Sequence, residues 1–224
     1  MRAALVVAVA AVAVGGCGAG EGDGEPGAPA VQVVRVSVAG GLVPSVATGV
    51  AVGGDRVLTV AHVLQAGRTP AVLGRRAAVL RLDRRADLAL LRVPGLRAPR
   101  LHLRLGDGSG TVAIRVVRDG RARTLAATVR RRVTARVRDA PGDAPQVRPG
   151  LELAAAVAPG DSGAPVLDAE GRLVGIVFAR TSDRPDTAWA VDAGAARALL
   201  AQPSAIAAAS SSMPSPIRRS SNVA

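Results

Sequence analysis

The 224-residue sequence predicts an all-β protein with one short helix near its C-terminal end. Valine-rich runs broken by Gly and Pro recur from Val31 onward, and β-branched side chains suit a pleated, half-buried surface. Gly53-Gly54-Asp55 separates two such runs, a strong hairpin-turn signal. Arg121 to Arg138 alternates apolar residues with arginine, the period-two pattern of strands with one buried face. Hydrophobic residues make up 49% of the chain and aromatics only 1%, so the core has to be built from Val, Leu and Ala.

The elements follow in order. Met1-Arg2 and the apolar stretch 3–14 read as a signal peptide, because a spanning helix needs about 20 apolar residues. Residues 18–30 are Gly, Pro and acid with almost nothing to bury, and read as a flexible tether. Val31 to Val38 is the first strand, and Val46 to Val52 with Arg56 to Val60 is the hairpin. Ala77 to Leu82 and Leu88 to Val93 pair across the turn 83–87, and Pro94 to Pro99 crosses to the second half. Thr111 to Val117, the one or two strands of Arg121 to Arg138, and Leu151 to Val157 come next, with a Pro-rich loop over Asp139 to Pro149. Leu173 to Arg180 and Thr187 to Val191 are strands, and Ala193 to Ala201 is a helix by propensity. The tail 203–224 is Ser- and Pro-rich and expected to be disordered. The folding unit, 31–202, is long enough to bury a sizeable core.

Charge and cysteine usage narrow the partners. The formal charge is +12 and every basic residue is arginine, which either reflects coding bias or favours anionic lipid, cell-wall polymer or nucleic acid. Two aromatic residues cannot supply a stacking surface, so nucleic-acid binding is disfavoured. Arg130-Arg131-Arg132 reads as a solvated face and His102 as an ordinary strand residue. The single cysteine, Cys17, excludes an internal disulfide, so the fold has to hold by its core alone.

The chemistry concentrates at Gly160-Asp161-Ser162-Gly163-Ala164-Pro165. A serine hydroxyl is a poor nucleophile until a base takes its proton and N–H groups stabilise the resulting oxyanion. Gly160 removes the Cβ that would obstruct such a turn, leaving its N–H and that of Ser162 free to point into one small space. A turn of this kind calls for a histidine base and an aspartate to orient it. Upstream, His62 stands in Thr59-Val60-Ala61-His62 and Asp87 in Asp87-Leu88-Ala89-Leu90-Leu91. Taken singly, each has a plainer reading: a buried strand-end histidine, an aspartate paired with Arg84 or Arg85, a turn serine.

Together, these three motifs in the order His, Asp, Ser resemble the chymotrypsin-like serine proteases. The resemblance is to the disulfide-free bacterial branch that includes HtrA protease domains, supported by Leu105-Gly106-Asp107 and Trp189-Ala190-Val191. The serine region through Gly175-Ile176-Val177-Phe178 is similar to the periplasmic domain of mycobacterial acid-resistance serine proteases. It implies two antiparallel six-stranded β-barrels, about 31–97 and about 98–202, with the active site between them. Ser162 would then attack the scissile carbonyl, His62 would serve as base and Asp87 as its orienter. The N–H groups of Gly160 and Ser162 would form the oxyanion hole. No cofactor and no metal are called for. Two departures stand out: Ala164 replaces the second glycine usual in this motif, and Phe178 replaces a serine that often supports the aspartate. Ala156, with Phe178, Ala179 and Arg180, is the expected substrate pocket, and the lack of an acid at Ala156 argues against Arg/Lys preference and for a small or apolar side chain.

Val14-Gly15-Gly16-Cys17 resembles a bacterial lipobox, which implies lipidation of Cys17 and anchoring without a membrane helix. The expectation is a membrane-anchored extracytoplasmic endopeptidase acting on proteins or peptides of the bacterial cell envelope, or else a secreted one. The competing expectation is a catalytically silent lipoprotein that binds envelope proteins or anionic polymer. Nothing in the sequence bears on oligomeric state.

Overall fold

The computed structural model describes residues 31–39, 45–64, 68–106, 109–137, 144–180 and 184–202. The signal segment, Cys17, the tether, Asp107 and the C-terminal tail lie outside the described residues. The strands are β1 Val33–Val38, β2 Ser45–Gly53, β3 Arg56–Val60, β4 Pro70–Val72, β5 Arg75–Arg76, β6 Ala78–Asp83 and β7 Leu88–Arg92. After a crossing segment come β8 Gly110–Arg118, β9 Arg121–Val137, β10 Gln146–Ala154, β11 Pro165–Leu167, β12 Leu173–Arg180 and β13 Thr187–Asp192, then helix α1 Ala193–Ala201.

The first seven strands make one antiparallel sheet in the order β5-β4-β1-β2-β3-β7-β6, and the last six close into a barrel, β10-β13-β12-β11-β8-β9. The second half thus has the six strands expected. The first half carries an extra short ribbon: Leu73 (φ 51°) and Gly74 (φ 74°) turn the chain so that two-residue β5 folds back on β4. The alternating stretch from Arg121 is one strand, β9, which pairs with β8 in its first half and β10 in its second. The Pro-rich segment expected to be loop up to Pro149 is already strand from Gln146, because Pro149 lies where β10 is paired only with β9. His102 is not within a strand; it is exposed, and its carbonyl accepts from Leu173 N at 2.8 Å.

Two clusters of buried residues fill the molecule. One occupies the closed barrel, around Ile114, Leu151, Leu153 and Val166. The other fills the N-terminal sheet and continues through Leu173, Ile176 and Phe178 of β12 into Leu199 of the helix. Core continuity therefore docks the two halves. Asp192 caps α1 by accepting from Ala195 N at 3.1 Å. At the far end Arg81 of β6 donates to the Leu199 and Leu200 carbonyls at 3.3 and 2.6 Å, fastening the helix to the first sheet.

Candidate active site

Strand register brings His62 and Asp87 together. β3 and β7 pair antiparallel out to Val60 opposite Leu88, so the residues just past that pair stay side by side. Ala61 N extends the ladder by donating to the Asp87 carbonyl at 3.1 Å. Asp87 is buried and has φ 56°, a left-handed conformation that Asp tolerates better than most residues. Both carboxylate oxygens face the histidine: His62 N donates to Oδ1 at 2.8 Å, and Oδ2 lies 2.7 Å from Nδ1. That contact fixes the ring with Nε2 directed away from the aspartate. The plainer pairing of Asp87 with Arg84 or Arg85 side chains does not occur among the described residues.

The serine turn reaches His62's half of the molecule through two threonines. Thr48 of β2 is fully buried, donates from N to the Ser162 carbonyl at 2.8 Å and from Oγ1 to the Gly160 carbonyl at 3.1 Å. Thr59 of β3 braces it, its hydroxyl donating to the Thr48 carbonyl at 2.8 Å. The approach is so close that a Cβ on Gly163 would stand 2.0 Å from the Thr48 carbonyl oxygen and 2.6 Å from Thr59 Oγ1. Only glycine fits there. Gly160 has φ 94°, which also requires glycine. Among the described residues, the N–H groups of Gly160 and Ser162 have no hydrogen-bond partner, whereas Asp161, Gly163 and Ala164 N–H groups are all bonded. Two free donors beside a serine suit an oxyanion. The Ser162 hydroxyl donates to the Phe178 carbonyl at 3.5 Å rather than to His62.

Asp161 is buried and paired with Arg118, whose Nε and Nη2 reach its two oxygens at 3.1 and 2.5 Å. The Asp161 hydrogen bond holds the Arg118 guanidinium above its ordinary pKa. Asp161 Oδ2 also accepts from Ala158 N at 2.7 Å, so the carboxylate closes the turn that presents Gly160.

Asp87 lacks a serine at position 178, and a different residue steadies its turn. Arg148 of β10 is 1% exposed, donates to the Arg85 and Arg84 carbonyls at 2.7 and 3.0 Å, and lies 5.6 Å over the Phe178 ring. One guanidinium thus connects the Asp87 turn to the residue whose carbonyl receives the Ser162 hydroxyl. Thr48 and Arg148 were missed by sequence reasoning, and Arg118 could not be singled out as the arginine that pairs with Asp161, since a buried Thr or Arg carries no motif in a chain rich in strands and arginines.

Phe178, Ala179 and Arg180 line an open cavity of about 820 Å³ with Trp189 and the second half of β9. Ala156 is exposed and does not line that cavity. The Arg130-Arg131-Arg132 run is solvent-facing and compensated: Arg130 pairs with Asp186, Arg131 with Glu152 and Arg132 with Asp192, at 2.8, 2.7 and 2.8 Å.

A six-stranded barrel packed on a second curled sheet, with a serine turn bonded through Thr48 to the half that carries a His–Asp pair, is the framework of a chymotrypsin-like serine protease. The model of the trypsin-like peptidase domain matches residues 47–176, more than half of the chain, and the chain belongs to that family. Serine proteases MT3772 and Rv3671c of Mycobacterium tuberculosis are each 30% identical over 163 residues, which is 69% of this chain and 41% of theirs. The chain therefore spans about two fifths of the length of these curated relatives. The active form of the M. tuberculosis Rv3671c protease superposes with a TM-score of 0.66 at 28% identity, covering 75% of this chain and 79% of that one. The HtrA-type protease AlgW with tripeptide shares the fold, with a TM-score of 0.58 at 24% identity over 78% of this chain and 60% of that one.

Proposed function

We propose that the chain is a serine endopeptidase that cleaves peptide bonds through an acyl-enzyme. The observation that carries this reading is the arrangement of His62 on both oxygens of buried Asp87, in a half of the molecule bonded through Thr48 to a serine turn with two unused N–H donors. Ser162 Oγ leaves the Phe178 carbonyl, passes its proton to His62 and bonds the scissile carbonyl carbon. The oxyanion is held by the Gly160 and Ser162 N–H groups. His62 then returns the proton to the departing amine, and water repeats the sequence to release the acid. Asp87 stabilises the imidazolium throughout. The edge from Phe178 to Arg180, where Ala179 and Arg180 are paired on one side only by β13, offers the substrate a strand to pair with.

The cellular reading follows from Met1 to Cys17: lipidation at Cys17 places the enzyme on the outer face of a bacterial membrane, with envelope proteins as substrates. Among the described residues no helix is long and apolar enough to cross a membrane. Membrane fractionation of Cys17→Ser tests the anchor, and an unchanged membrane-bound fraction would remove it.

The test of catalysis is labelling of the full chain with a fluorophosphonate, with Ser162→Ala and His62→Ala alongside. Labelling of wild type that both variants abolish is the expected result. Folded wild-type protein that stays unlabelled would favour the silent binding module, a reading that the Ser162–Phe178 hydrogen bond suits.

A further inference from the structure

Several arginines around the barrel answer a carboxylate, as Arg118, Arg130, Arg131, Arg132 and Arg172 do. Arg136 and Arg180 differ. Both are exposed, neither has a hydrogen-bond or ion-pair partner among the described residues, and both line the cavity beside Phe178. No carboxylate lines that cavity among the described residues. Its walls are two strand edges. Ala179 and Arg180 are paired only with β13, beyond a bulge at Phe178, and Arg131–Val137 only with β10, because β9 leaves β8 at Val129. An extended peptide entering this space finds unpaired backbone on the walls, apolar surface from Phe178 and Trp189, and two cations with no acidic partner among the described residues. Phe178, on its lining, has the carbonyl that accepts the Ser162 hydroxyl.

We propose that this cavity selects peptide substrates bearing an acidic side chain close to the scissile bond, with Arg136 and Arg180 as the residues that recognise it. The proposal rests on the endopeptidase reading above and deepens it. A cation pair in a recess attracts a carboxylate and repels Lys and Arg, so it discriminates by repulsion as well as attraction. A strand-like peptide, unlike a branched or flexible anionic polymer, also uses the two free edges.

The experiment uses the full-length chain in detergent and matched quenched fluorescent peptides, with Glu, Gln or Lys placed in turn at each position flanking the cleaved bond. At one position or more, Glu is expected to exceed Gln about fivefold in kcat/KM, and the gain shrinks as salt rises. Arg136→Gln and Arg180→Gln each reduce the preference, and the doubly reversed Arg136→Glu, Arg180→Glu variant favours Lys. Arg35→Gln, the same charge change as each single substitution but at an exposed position of β1, leaves the preference in place, which separates the cavity from the protein's overall charge. Equal kcat/KM for Glu and Gln at every position, with Ser162 still labelled by fluorophosphonate, overturns the proposal and leaves the protease reading standing. If wild type neither labels nor cleaves, that reading falls. Anisotropy of a fluorescein-tagged Glu peptide against its Gln counterpart then decides the cavity's preference. Tighter binding of the Glu peptide, weakened by Arg136→Gln and Arg180→Gln, supports it, and equal binding overturns it. Polyphosphate binding that those substitutions weaken, with Glu and Gln peptides bound alike, assigns the cavity to an anionic polymer and also overturns it.

Discussion

Arg148 shows what a single side chain does for the candidate site. A buried guanidinium is costly unless its donors are satisfied, and two of them reach the Arg84 and Arg85 carbonyls on the turn that ends in Asp87. Its plane also covers Phe178. Replacing it with Met keeps the stem and removes the fork, leaving two carbonyls without their donors. Hydrogen bonds to a charged group are worth roughly 1.5–3 kcal/mol, so kcat in Arg148→Met is expected to fall by about an order of magnitude. Because the residue positions Asp87 and contacts no reacting atom, KM should change little. Arg148→Lys should not rescue, since one ammonium cannot reproduce a planar two-point fork. Wild-type kcat in Arg148→Met would refute the role. His62, Asp87 and Ser162 were legible in the sequence because their residue types and flanks carry the chemistry. Arg148 was not legible: it stands in a Pro-rich stretch among many arginines, and its burial depends on a contact across 63 residues.

At the scale of elements, long hairpins were legible and short ones were not. β2 with β3 and β6 with β7 announce themselves by apolar runs and turn residues, whereas β4 and β5 have three and two residues, too few to show a period. The turn from β11 to β12 has a local lock that pH can open. Asp168 Oδ1 accepts from Glu170 N and Arg172 N at 3.2 and 2.8 Å, and Oδ2 accepts from Arg172 Nε at 2.8 Å. Burial alone would raise this carboxyl, but the Arg172 backbone and guanidinium outweigh it, and its pKa lies below the ordinary carboxylate value. A depressed folded pKa means stability that is complete above the unfolded value, about 3.9, and lost as pH falls through the folded value. Thermal unfolding below about pH 4 should therefore destabilise wild type more steeply than Asp168→Asn, which has no charge there to lose. Parallel pH profiles for the two proteins would show that the turn does not contribute this way.

For the whole molecule, the two halves must meet in one register before His62 and Ser162 can cooperate, and Thr48 is where that register is set. It belongs to the first sheet, yet its N–H and hydroxyl hold the Ser162 and Gly160 carbonyls, and its Oγ1 receives Val117 N of β8 at 3.3 Å. Fixing the Gly160 carbonyl also helps orient the two peptides on either side of it, which carry the candidate oxyanion donors. The core continuing from the N-terminal sheet into β12 and α1 supplies most of the docking energy, so losing one hydroxyl should not separate the halves. Thr48→Val keeps the shape of the side chain and deletes only the two Oγ1 hydrogen bonds. The stability cost should be about 1 kcal/mol, or roughly 3 °C in Tm for a domain of this size. The cost in catalysis should be larger. Loss of one well-placed oxyanion donor removes roughly 3 kcal/mol of transition-state stabilisation, and misorientation of the Gly160 peptide approaches that loss. The expected result is fluorophosphonate labelling slowed by about tenfold or more in a protein that still unfolds in one cooperative step. Slow labelling with a collapsed Tm would make Thr48 a packing residue only. Unchanged labelling would mean that the serine turn holds its shape without help from the other half.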